Sequence, residues 1–114
     1  MAVHRLIVFS APTPGKEDEY NDWYTNTHLA EVIEIPGFVA AQRFRLSDEQ
    51  LPGFQPSPHK YLSIYEFDRP PGEPLETLRE LLESNQIGLP DSIQVDSICP
   101  WAYSSISERA AAQQ

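Results

Sequence analysis

One segment, from Tyr20 to Phe38, limits the possible folds of this chain more than any other, because it carries two apolar stripes on a single helical pattern. At 100° per residue, the two stripes point to opposite sides of the helix. The first consists of Tyr20, Trp23, Tyr24 and Thr27, and the second of Leu29, Val32 and Ile33. One straight helix cannot bury both in a single contact. We therefore predict that the helix ends or kinks between Asn26 and His28, where polar side chains offer caps.

The predicted break places His28 at a junction, where its side chain can lie at the mouth of a cavity. A histidine titrates near neutral pH, so in an apolar pocket it can take a proton from a carbon acid or a phenol and return it elsewhere. Isomerisation and dehydration need no more than that, and His28 is the candidate catalytic residue. A capping histidine that bonds to the backbone is the structural alternative, and the residues alone leave both open. His4 and His59, at a strand start and in a loop, are expected to be exposed.

Patterns typical of strands and helices follow one another along the chain in the order strand, helix, strand, strand, helix, strand. Strand patterns cover residues 3–10, 38–46, 60–67 and 92–105, and helical patterns begin near residues 13 and 75. Pro100 interrupts the last strand, which indicates an edge position or a bulge. This order predicts an α+β fold of the ferredoxin-like βαββαβ type, with one four-stranded antiparallel sheet and both helices on one face.

Such an arrangement leaves the second face of the sheet uncovered. The strands have few polar residues, so that face needs an apolar partner, and a second copy of the chain across a two-fold axis is the simplest one. We therefore expect a homodimer whose two sheets close into a barrel. The 114 residues fit one domain, predicted at residues 1–106, followed by a tail at 107–114 that should fray. The proline-rich loop at 47–58 is a candidate lid.

Charge and composition exclude several classes of partner. The chain has 17 acidic and 8 basic residues and a formal charge of −9, whereas nucleic acids and anionic membranes bind basic surfaces.

A single cysteine, Cys99, excludes an internal disulfide, so a reducing cytoplasm is the simplest setting. The first residues are typical of a strand and not of a signal peptide, and no segment is long enough to span a bilayer. Without metal-binding motifs or a Gly-rich phosphate loop, we expect no metal and no organic cofactor.

The aromatic residues offer a flat apolar slot for a planar ligand, with tyrosine hydroxyls as donors to a carbonyl or enolate oxygen. The candidates for substrate binding are Trp23, Tyr24, Tyr65, Trp101 and Tyr103, with Arg43 as a partner for a carboxylate or phenolate. Both tryptophans are expected to flank the cleft between the first helix and the sheet. The alternative for the helix aromatics is an ordinary place in the core, and for Arg43 a place on the surface.

The chain contains the motif W-Y-x-x-x-H-L followed by P-G-F, and further on K-Y-L-S-I-Y-E-F. With these stretches the chain resembles the dimeric α+β barrel superfamily, in particular its EthD-like proteins and methylmuconolactone isomerases. The resemblance extends from the first strand to Tyr103. The resemblance places His28 at the histidine that this group carries at the end of its first helix. Ala30 stands where many relatives have a proline. Ala41 stands where the methylmuconolactone isomerases have a tyrosine, which argues against their particular reaction here.

Enzymes of the group that the chain resembles include isomerases, aromatase-cyclases, dehydratases and cofactor-free monooxygenases of phenolic or polyketide-like compounds. The resemblance therefore favours a cofactor-independent lyase or isomerase that acts on an aromatic or polyketide-derived small molecule, with His28 as the acid-base group. One alternative is a cofactor-free oxygenase, in which a substrate carbanion reacts directly with dioxygen. The other is a non-catalytic, stress-associated dimer that binds a small molecule.

Overall fold

The computed structural model describes residues 2–113 as one antiparallel sheet covered on one face by helices. The strands are β1 (His4–Ser10), β2 (Phe38–Arg45), β3 (Tyr61–Phe67) and β4 (Cys99–Ser104), and the helices are α1 (Glu17–Trp23), α2 (Leu29–Ile33) and α3 (Gly72–Glu83). A π-helical turn at Tyr24–His28 joins α1 to α2. The strand order is β2-β3-β1-β4, and every neighbouring pair is antiparallel. This is the ferredoxin-like order, so the predicted α+β fold is confirmed.

The π-helical turn lies where the two apolar stripes of the first helix meet. Its wider backbone turn inserts an extra residue and rotates the helix after it by roughly 100°. The rotation brings Val32 to the side of the tyrosines and leaves Ile33 39% exposed. Tyr20 and Tyr24 before the shift and Val32 after it are all almost fully buried. The position of the predicted irregularity agrees with the structure, but the predicted capping is wrong. The backbone stays helical throughout, and the Asn26 amide donates a 2.8 Å hydrogen bond to the Asp22 carboxylate instead.

The core lies between the helices and the face of the sheet that they cover. Its buried members are Leu6, Val8, Val32, Ile35, Phe38, Tyr65, Phe67 and Ile87. Four leucines of α3 pack against this cluster, and all four stay half-buried: Leu75, Leu78, Leu81 and Leu82. Side chains of a close-packed helix would be buried more completely. Helix α3 therefore covers the sheet loosely and leaves room beneath it.

No helix among the described residues covers the opposite face of the sheet. There β4 presents Trp101 and Tyr103, which are 50% and 57% exposed, and β2 presents Phe44, which is 42% exposed. Ile7 of β1 pairs with Trp101 and projects from the same face, as does Ile64 of β3. The same face carries the Arg5–Glu66 ion pair beside Tyr103. Exposed aromatic side chains grouped in this way on a sheet usually mark a site of association.

The last strand is shorter than the sequence pattern predicts. It begins at Cys99, and the residues before it include a 3₁₀ turn at Val95–Ser97. The Ser97 hydroxyl accepts a 2.8 Å hydrogen bond from the Ala11 N–H, so a side chain satisfies the backbone where a strand ladder was expected. β4 lies at an edge of the sheet, as Pro100 indicated.

The long loop and the carboxyl-terminal tail lie at the surface. Residues 46–58 are exposed, and so are residues 105–113, most of them without regular secondary structure. The domain boundary at residue 106 stays a prediction, and residue 114 lies outside the described residues. None of the described helices has the length and apolar character needed to cross a membrane.

We predict that Gly37→Ala destabilises the protein by roughly 2–5 kcal/mol. The added methyl group strains the backbone and also overlaps a neighbouring side chain in the core. Gly37 has a φ of 102°, and a Cβ at this position would overlap the ring of Pro74. Its carbonyl also accepts a 3.0 Å hydrogen bond from the Asp68 N–H, which limits relaxation of the turn. Gly88→Ala is the matched control, since a Cβ there meets no atom within 4 Å. Urea unfolding of both variants measures the difference, and equal stabilities would contradict this packing.

Candidate functional site

A cavity of about 330 Å³ lies between α3 and the covered face of the sheet, and the π-helical turn forms part of its wall. Its apolar lining consists of Leu6, Val8, Val32, Leu75, Leu78, Leu82, Leu89, Ile93, Ile98, Pro100 and Ala102. Tyr24, His28, Tyr65 and Arg79 supply the polar groups of the wall. A mostly apolar cavity with a few convergent polar groups is the usual form of a site for a small organic molecule.

His28 is the last residue of the π-helical turn and is only 8% exposed. The Trp23 ring stacks on the imidazole with 4.7 Å between the ring centroids, and the Tyr24 ring meets it edge-on at 5.1 Å. A regular helix already places His28 one turn after Tyr24, and the extra residue in the turn brings it next to Trp23 as well. Two aromatic neighbours thus fix the orientation of the ring by packing.

The protonation state of His28 follows from its burial. Burial lowers the pKa of His28 to about 4, so the imidazole is neutral at pH 7. Its Nδ1 is buried without a hydrogen-bond partner, and Oε1 of Glu31 lies 3.8 Å away on the next turn. Because Nδ1 is enclosed by protein, Nε2 is the nitrogen left for a ligand. The sequence led us to expect titration near neutral pH, but desolvation lowers the pKa below that range.

Two phenol groups share the cavity with His28. Tyr24 and Tyr65 are 3% and 2% exposed, and both line the cavity wall. Burial, together with the nearby Tyr24 hydroxyl, raises the pKa of Tyr65 far above its usual range. The Tyr65 phenol therefore keeps its proton at any physiological pH. Such a group can donate a hydrogen bond to an oxygen of a ligand but cannot act as a base.

Arg43 lies behind the cavity wall and is not part of its lining. Its guanidinium lies over the Tyr24 ring, 4.6 Å from the centroid, and close to two further tyrosine rings. Nη1 donates to the Thr25 hydroxyl at 3.0 Å, and Nη2 donates to the Asn21 side-chain oxygen at 2.9 Å. These contacts hold Tyr24 in place by cation–π attraction and hydrogen bonding. The role predicted for Arg43, direct contact with an anionic ligand, does not fit this position.

Trp101 and Tyr103 project from the uncovered face of the sheet and do not line the cavity. In β4 they pair with Ile7 and Arg5 of β1, whereas the residues of β1 that line the cavity lie at the intervening positions. The expectation that Trp101 flanks the cleft is therefore wrong. Of the seven predicted site residues, His28, Tyr24 and Tyr65 line the cavity. Trp23 and Arg43 do not line it but contact His28 and Tyr24 from behind the wall, and Trp101 and Tyr103 lie on the other face of the sheet.

Glu31 and Arg79 are site residues that we did not predict from the sequence. Glu31 follows His28 by three positions, a spacing that places two side chains on the same helical face. Arg79 borders the leucine stripe of α3, which places it at the rim of any space beneath that helix. Both signals are present in the sequence, but such spacings are common on solvent-exposed helices.

The other two histidines lie away from the cavity. His4 Nδ1 lies 2.7 Å from the Ser104 hydroxyl, and the His59 ring packs at a tilt of 31° against Phe9 with 4.3 Å between centroids. Both are half-buried, whereas the sequence suggested exposure. Within residues 2–113, no three histidine, cysteine or acidic side chains come together in a way that could hold a metal ion.

Comparisons with known proteins relate the chain to others through its fold. No protein-family model matches it, and no curated protein matches its sequence. An EthD family protein from Bacillus halodurans C-125 matches with a TM-score of 0.58 and 16% identity over 93% of this chain and 100% of that one. A Bacillus cereus protein assigned provisionally as an antibiotic biosynthesis monooxygenase matches with a TM-score of 0.52 and 15% identity over 96% and 98% of the two chains. The chain thus shares the ferredoxin-like α+β fold of an EthD family protein, as the motifs indicated.

Proposed function

We propose that this protein is a cofactor-independent lyase or isomerase, of the dehydratase or cyclase type, that acts on an aromatic or polyketide-derived small molecule. The observation that carries the proposal is an apolar cavity holding one buried neutral imidazole and two buried phenols. An apolar cavity of about 150 Å³ binds benzene, so a cavity of about 330 Å³ suits a molecule of about two fused rings. Its leucine and isoleucine walls favour apolar surfaces, and the Tyr24 and Tyr65 rings favour planar ones.

His28 acts as the acid-base group in this proposal. The neutral ring accepts a proton at Nε2 from a carbon or oxygen acid of the bound molecule, and negative charge develops on the substrate oxygen. The Tyr24 and Tyr65 hydroxyls are the donors that stabilise that oxygen. Because burial disfavours the imidazolium, His28 readily returns the proton, either to a second carbon in isomerisation or to a departing hydroxyl in dehydration. The Glu31 carboxylate stabilises the transient positive charge at Nδ1.

A cofactor-free oxygenase is the second candidate, and the provisional name of the Bacillus cereus protein favours it. The first step is the same, since His28 removes a proton from a phenolic substrate, but the carbanion then reacts with dioxygen. Consumption of oxygen with a phenolic substrate distinguishes this reaction from isomerisation. Recovery of the unchanged ligand after incubation would instead favour a binding protein without catalytic activity.

We further propose that the protein is a homodimer that pairs through the uncovered face of the sheet. Trp101 and Tyr103 are large aromatic residues left about half exposed on that face, and aromatic residues are enriched at interfaces. The apolar surface around them supports a stable interface. Cys99 is free, which supports a reducing cytoplasm as the setting.

If His28 is catalytic, replacing it should abolish proton transfer while the protein stays folded. We expect the wild type to accelerate deuterium exchange at the acidic methylene of 2-tetralone, a two-ring ketone, and His28→Gln to lower that rate by roughly 100-fold or more. Proton NMR in D₂O measures the exchange, and circular dichroism confirms the fold of each variant. His4→Gln, which changes a histidine outside the cavity, is the matched control. Equal rates in the two variants would exclude His28 as the base.

The burial of His28 also predicts a pH-dependent stability. In the unfolded chain this histidine has its ordinary pKa of 6.5, against about 4 in the folded state. Between these values the unfolded state binds the additional proton, so the free energy of unfolding should fall by roughly 3 kcal/mol as the pH drops from 7 to 4.

His28→Gln removes this contribution, whereas acidic residues with lowered pKa values contribute equally to both proteins. Urea unfolding at pH 7, 5.5 and 4.5 should therefore show a steeper loss of stability for the wild type than for the variant. Parallel curves would show that His28 is not desolvated in the folded protein.

The proposed assembly predicts a dimer of about twice the 12.9 kDa chain mass in analytical ultracentrifugation. Trp101→Glu should give a monomer, because it buries a charge in the interface. Val95→Glu places the same charge at a residue that is 58% exposed in the 3₁₀ turn, outside the sheet, and should leave the dimer intact. A wild-type monomer at micromolar concentration would contradict the barrel.

A further inference from the structure

The cavity has a single side chain of fixed charge in its wall among residues 2–113, and that side chain is Arg79 of α3. The remaining polar groups of the wall are two phenols and an imidazole that is neutral at pH 7. Whether the cavity accepts an anion therefore depends on whether the Arg79 guanidinium is free to bind one.

Arg79 is already bound on both sides by carboxylates of its own helix. Its Nε donates to Glu76 at 3.0 Å, its Nη2 donates to the other oxygen of the same carboxylate, and its Nη1 donates to Glu83 at 2.6 Å. These spacings of three and four residues are the ones that a helix brings together. The two carboxylates raise the pKa of Arg79, and the three side chains together carry one net negative charge. A ligand carboxylate at this rim meets a repulsive group.

The other nearby cation, Arg43, cannot take the place of Arg79. Its guanidinium lies on the far side of the Tyr24 ring, and its Nη groups are already donated to Asn21 and Thr25. A carboxylate in the cavity would thus be desolvated among leucine and isoleucine side chains without a cationic partner, which is strongly unfavourable.

An uncharged oxygen of a ligand enters the cavity at a lower cost than a carboxylate. A carbonyl, amide or phenol oxygen loses less hydration on entering, and Tyr24 and Tyr65 place neutral hydroxyl groups in the cavity wall. We propose that the cavity selects uncharged planar molecules that carry a hydrogen-bonding oxygen, and that it rejects carboxylates of the same shape. This inference rests on the proposed function only in taking the cavity as the ligand site.

A pair of isosteric ligands tests the selectivity directly. Isothermal titration calorimetry at pH 7 compares 6-hydroxy-2-naphthamide, which is uncharged, with 6-hydroxy-2-naphthoic acid, which is ionised. We expect the amide to bind roughly 10- to 100-fold more tightly. Leu78→Trp, which fills the cavity, should abolish binding of the amide and so locate it there.

Releasing Arg79 from its partners should change the preference. In the double variant Glu76→Gln, Glu83→Gln the guanidinium is freed, and affinity for the acid should rise about tenfold while affinity for the amide stays the same. The matched control is Glu73→Gln, Glu80→Gln, which makes the same change in net charge on α3 at glutamates that do not pair with Arg79. An equal gain in both double variants would show that net charge, and not the ion pairs of Arg79, determines the preference, and would overturn the inference.

The outcomes also separate this inference from the proposed function. If the wild type binds the acid as tightly as the amide, and Leu78→Trp abolishes both, the charge selectivity is wrong but the cavity remains the ligand site. If neither compound binds, both the selectivity and the ligand site assigned to the cavity are overturned.

Discussion

The π-helical turn at Tyr24–His28 is the constraint on which the rest of the structure depends. An uninterrupted α-helix would direct either the tyrosines or Val32 toward the solvent. In each case large apolar side chains that are now buried would be exposed. Inserting one residue costs the regular hydrogen bonding of a single turn, while burial of each large apolar side chain contributes about 1.5–3 kcal/mol. The same insertion brings His28, which follows Tyr24 by one turn, against the Trp23 ring. Helix packing and the position of the candidate base therefore have one common cause.

The cavity has a second cause, which is the loose packing of α3. Its leucines are only half-buried, so the helix closes over the sheet without filling the space beneath it. Cavities without a ligand are destabilising in proportion to their volume, and a protein of this size has a small margin of stability. Occupation of the cavity by an apolar ligand would recover part of that loss. This is a physical reason, independent of any reaction, to expect a ligand in this cavity.

The fold was predictable from the sequence because it depends on the order of elements and on their apolar periodicity, and both are local signals. The face on which a strand side chain lies is harder to predict. Strict alternation in β2 would put Phe38 and Phe44 on the same face, yet Phe38 is buried in the core and Phe44 is exposed on the open face. An irregularity between Phe38 and Ala40 shifts the pairing with β3 by one residue. Nothing in the local sequence marks that shift, since tertiary packing determines it.

The difference between local signals and tertiary packing also explains which residues of the candidate site were placed correctly from the sequence. His28 follows Tyr24 by four residues, so their proximity follows from helical spacing. The stacking of Trp23 on His28, which are five residues apart, requires the π-helical turn in addition. Trp101 depends instead on the register between β4 and β1, which places it opposite Ile7 on the uncovered face. For Arg43, the chemistry of a guanidinium suggested an anion, whereas three tyrosine rings and two hydrogen-bonding side chains occupy it in the structure.

Burial of His28 has opposite effects on the two halves of an acid-base reaction. It makes the imidazole a weaker base, because the cation that forms on proton uptake is poorly solvated, and for the same reason it makes that cation a stronger acid. The low polarity that causes this also strengthens the hydrogen bonds that Tyr24 and Tyr65 can give to an enolate or phenolate oxygen. The site therefore depends on the ligand for part of the driving force. Substrates whose proton is already acidic, such as phenols and ketones with a benzylic α-carbon, fit this balance, whereas simple aliphatic ketones do not.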